Sequence, residues 1–292
     1  MNTRKNTARW GCAVALVFAH QLAPAAPAME APLSSYFPSI GPNVSIVSEI
    51  HEGASIAMLG PISSEANALI QAILDKKDSI RALYIDSGGG DVTAAIALAE
   101  MIRQHKLRLV VAGRCLSACA NYVFTAAVRK TVPPGSLVGI HGTIIHARFD
   151  DKMLIANARD KDKLIAAVAA RDPSVATRLA ALEQSNLDFY KKYGISTQYH
   201  AAFDRYTAQR AAGRAGDCPE IDFWVLRRKD LENMGVTGMG DVWEPADQAA
   251  TNQAAARLGL NAKAIFFGDA AALAARCKPA SGLAAKLRGL FG

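Results

Sequence analysis

The chain has 292 residues, 51% of them hydrophobic and 20% charged, with a formal net charge of +7. That length can bury one substantial core with room for an extra segment, and the balance of apolar and charged residues argues against disorder. Residues 1–28 hold Arg4, Lys5 and Arg9 and no acid, so the remainder carries 30 basic against 26 acidic residues; without a Lys/Arg stripe interleaved with aromatics, nucleic acid is not an expected partner.

Residues 1–28 read as a signal peptide. A basic stretch from Met1 to Trp10 leads into the apolar run Gly11–Ala19, and Ala26-Pro27-Ala28 offers the small alternate residues that a signal peptidase accepts, with cleavage before Met29. The apolar run is too short to span a bilayer comfortably. Export to the periplasm or the medium is the expectation. Export also changes how the cysteines are read. Loss of Cys12 leaves Cys115, Cys119, Cys218 and Cys277, an even number for which an oxidising compartment predicts disulfides, with three full pairings open. Their spacing does not suit zinc, the histidines do not cluster with them, and no metal or organic cofactor is expected.

Residues 29–53 lack steady periodicity and read as a linker. From Ala54 the pattern becomes alternating strand and helix. Ala54–Leu59 is a short apolar strand, and Pro61-Ile62-Ser63 breaks it. Ser63 or Ser64 can then cap a helix that places Ala66, Ile70 and Ile73 on one face. Ala82–Ile85 is a second strand, followed by Asp86-Ser87-Gly88-Gly89-Gly90-Asp91 and a helix over Thr93–His105. Leu107–Ala112 is a third strand, Ser117–Val128 a third helix, and Leu137–His141 a further strand after Pro133-Pro134-Gly135. Such repetition with short connections predicts an α/β fold with mostly parallel strands and right-handed crossovers. Beyond Ala147 the chain is predicted to be helical, an insertion over about 150–215. Asp222–Trp243 then returns to the core domain of residues 54–245. The extension 246–292 is Ala-rich and expected to be helical, and Leu283–Arg288 within it has the pattern of a basic amphipathic helix able to touch a membrane surface.

Two segments carry the chemistry. Serine is a weak nucleophile until a base takes its proton and donors receive the oxyanion. Gly88-Gly89-Gly90 follows a buried strand and precedes a helix, so its backbone can approach a substrate and present N–H groups. It lacks the lysine of a Walker loop and the full dinucleotide-binding pattern. Ser117 follows the next strand, at the same edge of a parallel sheet. By itself it reads as a helix cap.

Three ordered segments alter that reading. Ile85–Val92, Gly113–Ala120 and Val138-Gly139-Ile140-His141 resemble the motifs of the Clp protease proteolytic subunit, a relative of the crotonases: the glycine-rich loop, the small-residue segment with the nucleophilic serine, and the apolar segment ending in histidine. The resemblance covers roughly Ala54–Trp243. It implies a crotonase-like fold of repeated β-β-α units and a serine peptidase, acting on peptide or protein substrates through an acyl-enzyme. Within it Ser117 is the nucleophile, His141 the general base, and the backbone N–H groups of Gly90 and Ala118 the oxyanion hole. An acid shortly before the returning apolar segment would orient the histidine; Asp217 fits that offset best and Asp222 second. The other histidines, His51, His105, His146 and His200, are read as structural. A homo-oligomer belongs to the same implication, although a helical segment replaces much of the family's handle region. An esterase or acyl-transfer enzyme on the same residues, or an inactive scaffold that kept the fold, are the other readings open to this pattern.

Overall fold

Strands that run parallel need a crossover between them, and the alternating strand–helix pattern supplies it. A computed structural model describes residues 32–35, 44–142, 144–149, 152–157, 163, 166, 167, 169–212 and 218–277. Residues 1–28, where a signal peptide is expected, Asp217 and the stretch Leu283–Arg288 lie outside the described residues.

β1 (Ile46–Ile50) pairs antiparallel with β2 (Ser55–Leu59), and β2 pairs in parallel with β3 (Ala82–Ser87). Next across the sheet comes β4 (Arg108–Leu116), also parallel. The sequence predicts a linker where β1 lies. That strand is half-exposed at the sheet edge, so its apolar residues show little periodicity, and its turn places His51 and Glu52 in the left-handed region instead of using a recognisable turn pair.

Side chains alternate across the sheet, as the period of two requires. Ile56, Met58, Leu83 and Ile85 join the main core, whereas Ala57, Leu59, Ala82 and Tyr84 form a second cluster on the other face with Leu33. Two helices cover the first face. α1 (Ser64–Leu74) starts where Ser63 Oγ accepts from the Ala66 amide, and it buries Ala66, Ile70 and Leu74. α2 (Val92–Gln104) starts where the Asp91 carboxylate accepts from the Ala94 amide at 2.7 Å, and it buries Ala95, Leu98 and Ile102. A fully buried Ile70 or Leu98 contributes about 1.5–3 kcal/mol, so a charged substitution at either would separate helix from sheet.

β4 changes partners along its length, and this positions the site. Its first half pairs with β5 (Arg129–Val132), whereas Arg114, Cys115 and Leu116 pair with Leu137, Val138 and Gly139 of β6 (Leu137–Gly139). β5 also pairs with β10 (Asp241–Val242). The third helix, expected over Ser117–Val128, runs over 118–126, and its middle is a π-helical turn over Cys119–Phe124 with all six residues buried. Beyond β6 the structure corrects the helical expectation. β7 (Ile144–Phe149) and β8 (Lys152–Asn157) form an antiparallel hairpin before α3 (Pro173–Tyr193) and α4 (Gln198–Ala212). Ile144, Ile145 and Phe149 are strand-forming residues, but two short strands with no glycine turn leave little signal.

The returning segment is β9 (Phe223–Val225), followed by α5 (Arg228–Asn233). The extension is not purely helical. It holds α6 (Gln248–Arg257), β11 (Ile265–Phe267), which pairs in parallel with β9, and α7 (Ala270–Ala274). Cys218 and Cys277 form a disulfide that ties α7's end to the start of the returning segment, and Cys115 and Cys119 form a second.

Candidate active site

Register brings the chemistry together. Leu116 and Gly139 are paired neighbours at the ends of β4 and β6, so Ser117 and His141, just beyond them, emerge side by side. Ser87 pairs with Cys115, which carries the glycine loop to the same edge. That pairing skips residues: the β3–β4 register shifts between Ile85 and Ser87. Asp86 occupies the irregularity, 1% exposed, accepting from Arg114 Nε at 2.9 Å and from the Arg114 amide at 3.3 Å. The first acid of the glycine motif is therefore a buried anchor for the strand that presents the serine.

Ser117 is itself in the left-handed region, with φ of 55°. Its amide donates to the Gly139 carbonyl at 3.1 Å and its carbonyl accepts from the Asn121 amide at 2.8 Å. Gly89 lies directly over it: a Cβ on Gly89 would stand 2.7 Å from Ser117 Cβ, and the φ of 108° there also excludes other residues.

Ser117 Oγ lies 2.6 Å from His141 Nε2. The other ring nitrogen, Nδ1, is 2.5 Å from the Gly142 carbonyl oxygen. A carbonyl can only accept, so Nδ1 carries the proton and Nε2 presents its lone pair to the hydroxyl. This is the tautomer that a base needs. The returning segment holds the histidine from the far side. Ile140 and Trp224 exchange both backbone hydrogen bonds, at 3.0 and 2.8 Å, and the Phe223 ring centroid is 6.0 Å from that of His141. Trp224 is completely buried, its indole donating to the Gly268 carbonyl at 2.8 Å.

Both side chains open into a cavity of about 310 Å³. Gly90 and Ala118 line it. The Ile62–Gly90 bridge uses the Gly89 carbonyl and the Asp91 amide, which leaves the Gly90 amide outside it, and Ala118 stands at a helix start where amides lack intrahelical partners. α3 and α4 form the opposite wall, contributing Leu182, Asn186 and Tyr190 from one and His200 and Asp204 from the other.

His200 and Asp204 were not singled out from the sequence as site residues. They stand four apart on α4, beside the buried stripe of Tyr199, Phe203 and Tyr206, so a polar pair adjoining an apolar face was the available signal. His200 is 5% exposed, and burial, with the nearby His141 charge, pushes its pKa down to about 4. Asp204 packs on the residue after the base: a Cβ on Gly142 would fall 2.0 Å from Asp204 Oδ1. Asp222 stands apart. Its amide donates to the Ala264 carbonyl; burial and then Glu220 raise its pKa while Arg210 opposes them. Among the described residues no group of three or more His, Cys, Asp or Glu side chains is placed to hold a metal, and no helix is long and apolar enough to cross a membrane.

Residues 42–167 match the sequence model of the Clp protease family. The site segment is Clp-protease-like. The matched region contains Gly90, Ser117, Ala118 and His141, whereas Asp204, Asp217 and the returning segment lie beyond it. Similar solved structures include a point mutant of ClpP1 from Listeria monocytogenes, 19% identical, with 51% of this chain and 77% of that one covered at a TM-score of 0.35. Another is a mutant of the 1510-N membrane-bound stomatin-specific protease, 16% identical, with 51% and 67% covered at a TM-score of 0.32. No curated protein matches the chain.

Proposed function

We propose that the protein is an exported serine peptidase that hydrolyses peptide bonds through an acyl-enzyme. The observation that carries this reading is the Ser117 Oγ–His141 Nε2 contact of 2.6 Å, in the tautomer a base requires, inside a cavity with room for a side chain. Ser117 Oγ attacks the carbonyl carbon as Nε2 takes its proton. The Gly90 and Ala118 amides receive the oxyanion. The imidazolium then gives its proton to the departing amine, and a water activated by Nε2 releases the acid.

For the third position Asp204 is the proposed residue in place of Asp217 or Asp222. Its carboxylate packs on Gly142, the residue whose carbonyl holds Nδ1–H, and it lines the same cavity as Ser117. Asp204 would then stabilise the imidazolium through space and through the Gly142 peptide, as a positioning and electrostatic group.

Export is supported by the two disulfides, which persist in oxidising compartments. The proposed layout is a signal peptide over 1–28, a catalytic region over 54–245 and the extension 246–292. The test is labelling by a fluorophosphonate probe together with hydrolysis of a fluorogenic peptide library. Ser117→Ala should abolish both, a loss on the order of 10³-fold or more, with the melting temperature unchanged. Labelling without peptide hydrolysis would assign the same residues to an esterase. Undiminished labelling of Ser117→Ala would refute the serine hydrolase reading.

A further inference from the structure

The nucleophile sits inside a covalent ring. Cys115 is the penultimate residue of β4 and Cys119 the first of the π-helical turn, so their disulfide closes Cys115-Leu116-Ser117-Ala118-Cys119 with Ser117 at the centre. Both cysteines are 0% exposed. Four described residues other than glycine have positive φ, and three of them, His51, Glu52 and Lys106, belong to turns away from the cavity; Ser117 is the fourth. A strand leading into a helix does not by itself require a left-handed serine, and L residues with a Cβ rarely adopt that conformation.

We propose that the Cys115–Cys119 disulfide is a positioning device for catalysis, holding Ser117 in its left-handed conformation so that Oγ stays against His141 Nε2 and the Ala118 amide faces the cavity. The proposal rests on the reading of Ser117 as nucleophile. Three observations converge on it. The bridge holds the two Cα atoms 5.1 Å apart, and an intact disulfide keeps that span below about 7 Å, well short of the extended length of five residues. Cys115 is fixed from both sides by the sheet, through Ser87 and Val138, so the ring has an immobile base. Gly89 presses on the ring's tip, with room for no Cβ against Ser117, so displacement there would be transmitted to the glycine loop. The ring thereby couples the nucleophile and one proposed oxyanion donor, Ala118, to the sheet by a single covalent link. Because both sulfurs are buried, it acts as a fixed brace.

The experiment compares wild type with the paired variants Cys115→Ala/Cys119→Ala and Cys218→Ala/Cys277→Ala. Release of the ring should lower kcat and the fluorophosphonate labelling rate by on the order of 10- to 100-fold, the scale expected when a reacting atom drifts by about 1 Å. KM should stay within about twofold, because the cavity walls on α3 and α4 are untouched. The control pair should lose thermal stability and keep its labelling rate at a temperature where it is folded. If the ring variant does not fold, the pair Cys115→Val/Cys119→Ala, which refills the buried space at the base of the ring, replaces it, because the sulfurs of the folded protein are out of a reductant's reach. Its labelling rate should fall by the same 10- to 100-fold while a melting curve shows it folded. Hydrogen exchange over Ser117–Phe124 gives a readout independent of chemistry and should accelerate at least about tenfold when the ring opens. Unchanged kcat and unchanged exchange in the opened ring would overturn the proposal. Absence of any labelling in wild type would instead refute the hydrolase reading and leave the exchange result to decide whether the ring holds the segment.

Discussion

Replacing Asp204 by Asn removes a charge from the wall of the cavity while keeping the volume of the side chain. The carboxylate lies against Gly142, whose carbonyl already holds His141 Nδ1–H. Tautomer control therefore survives the change, and what is lost is attraction to the imidazolium formed during attack. At an effective dielectric of about 20, the attraction between unit charges several ångströms apart is about 3 kcal/mol, or on the order of 10²-fold in rate. The loss should appear in kcat and in the fluorophosphonate labelling rate. It should be far smaller than that of Ser117→Ala, and also smaller than the roughly 10⁴-fold loss seen where a carboxylate alone sets the tautomer. Asp217→Asn and Asp222→Asn, assayed beside it with thermal melts to exclude unfolding, should stay within about threefold of wild type. A crippled Asp217→Asn beside a normal Asp204→Asn would move the role to Asp217. Three normal variants would leave a Ser117–His141 dyad.

Gly142→Ala should also lower turnover, on the order of tenfold or more, because its Cβ would fall 2.0 Å from Asp204 Oδ1 and expel the carboxylate; normal kinetics in that variant would show that the packing is dispensable. His200 is neutral in the folded protein, with its pKa at about 4 instead of 6.5, so the unfolded chain binds more protons between those values and stability should fall as the pH is lowered from about 6.5 to about 4. The full effect is roughly 3 kcal/mol, and denaturant midpoints of wild type and His200→Phe across that range should differ in slope; identical slopes would contradict the buried neutral imidazole. Cys218 and Cys277 are 59 residues apart, so removing their bridge should cost about 4 kcal/mol in the chain-entropy account, read as a lower melting temperature, and a loss below about 1 kcal/mol would contradict it.

Much of the core and half of the site were legible in the residues. Apolar strands separated by capped helices require parallel pairing with crossovers, and parallel pairing sends every strand's C-terminal end to one edge. Gly90, Ser117 and His141 all follow such ends, so their convergence could be anticipated from chain order. The edge strand β1 and the β7–β8 hairpin were missed for a local reason. A strand exposed on one face, or without a distinctive turn, has weak periodicity, and its pairing partner supplies the stabilisation that its own composition does not show.

The residues alone indicated parallel strands joined by helical crossovers, because these depend on local pattern and on short connections whose geometry has few solutions, and the resemblance of three ordered segments pointed to Ser117 and His141 as the candidate nucleophile and base. Tertiary structure decided the rest. Which of three disulfide pairings forms depends on the approach of segments 59 residues apart and on the tight path around Ser117. The far wall of the cavity comes from α3 and α4, which join the site by packing, and a helix pattern tells which face is apolar but not which site it will face. Asp204 belongs to that class: its separation from His141 along the chain carries no information, and only the fit of its carboxylate over a residue without a side chain brings the two together.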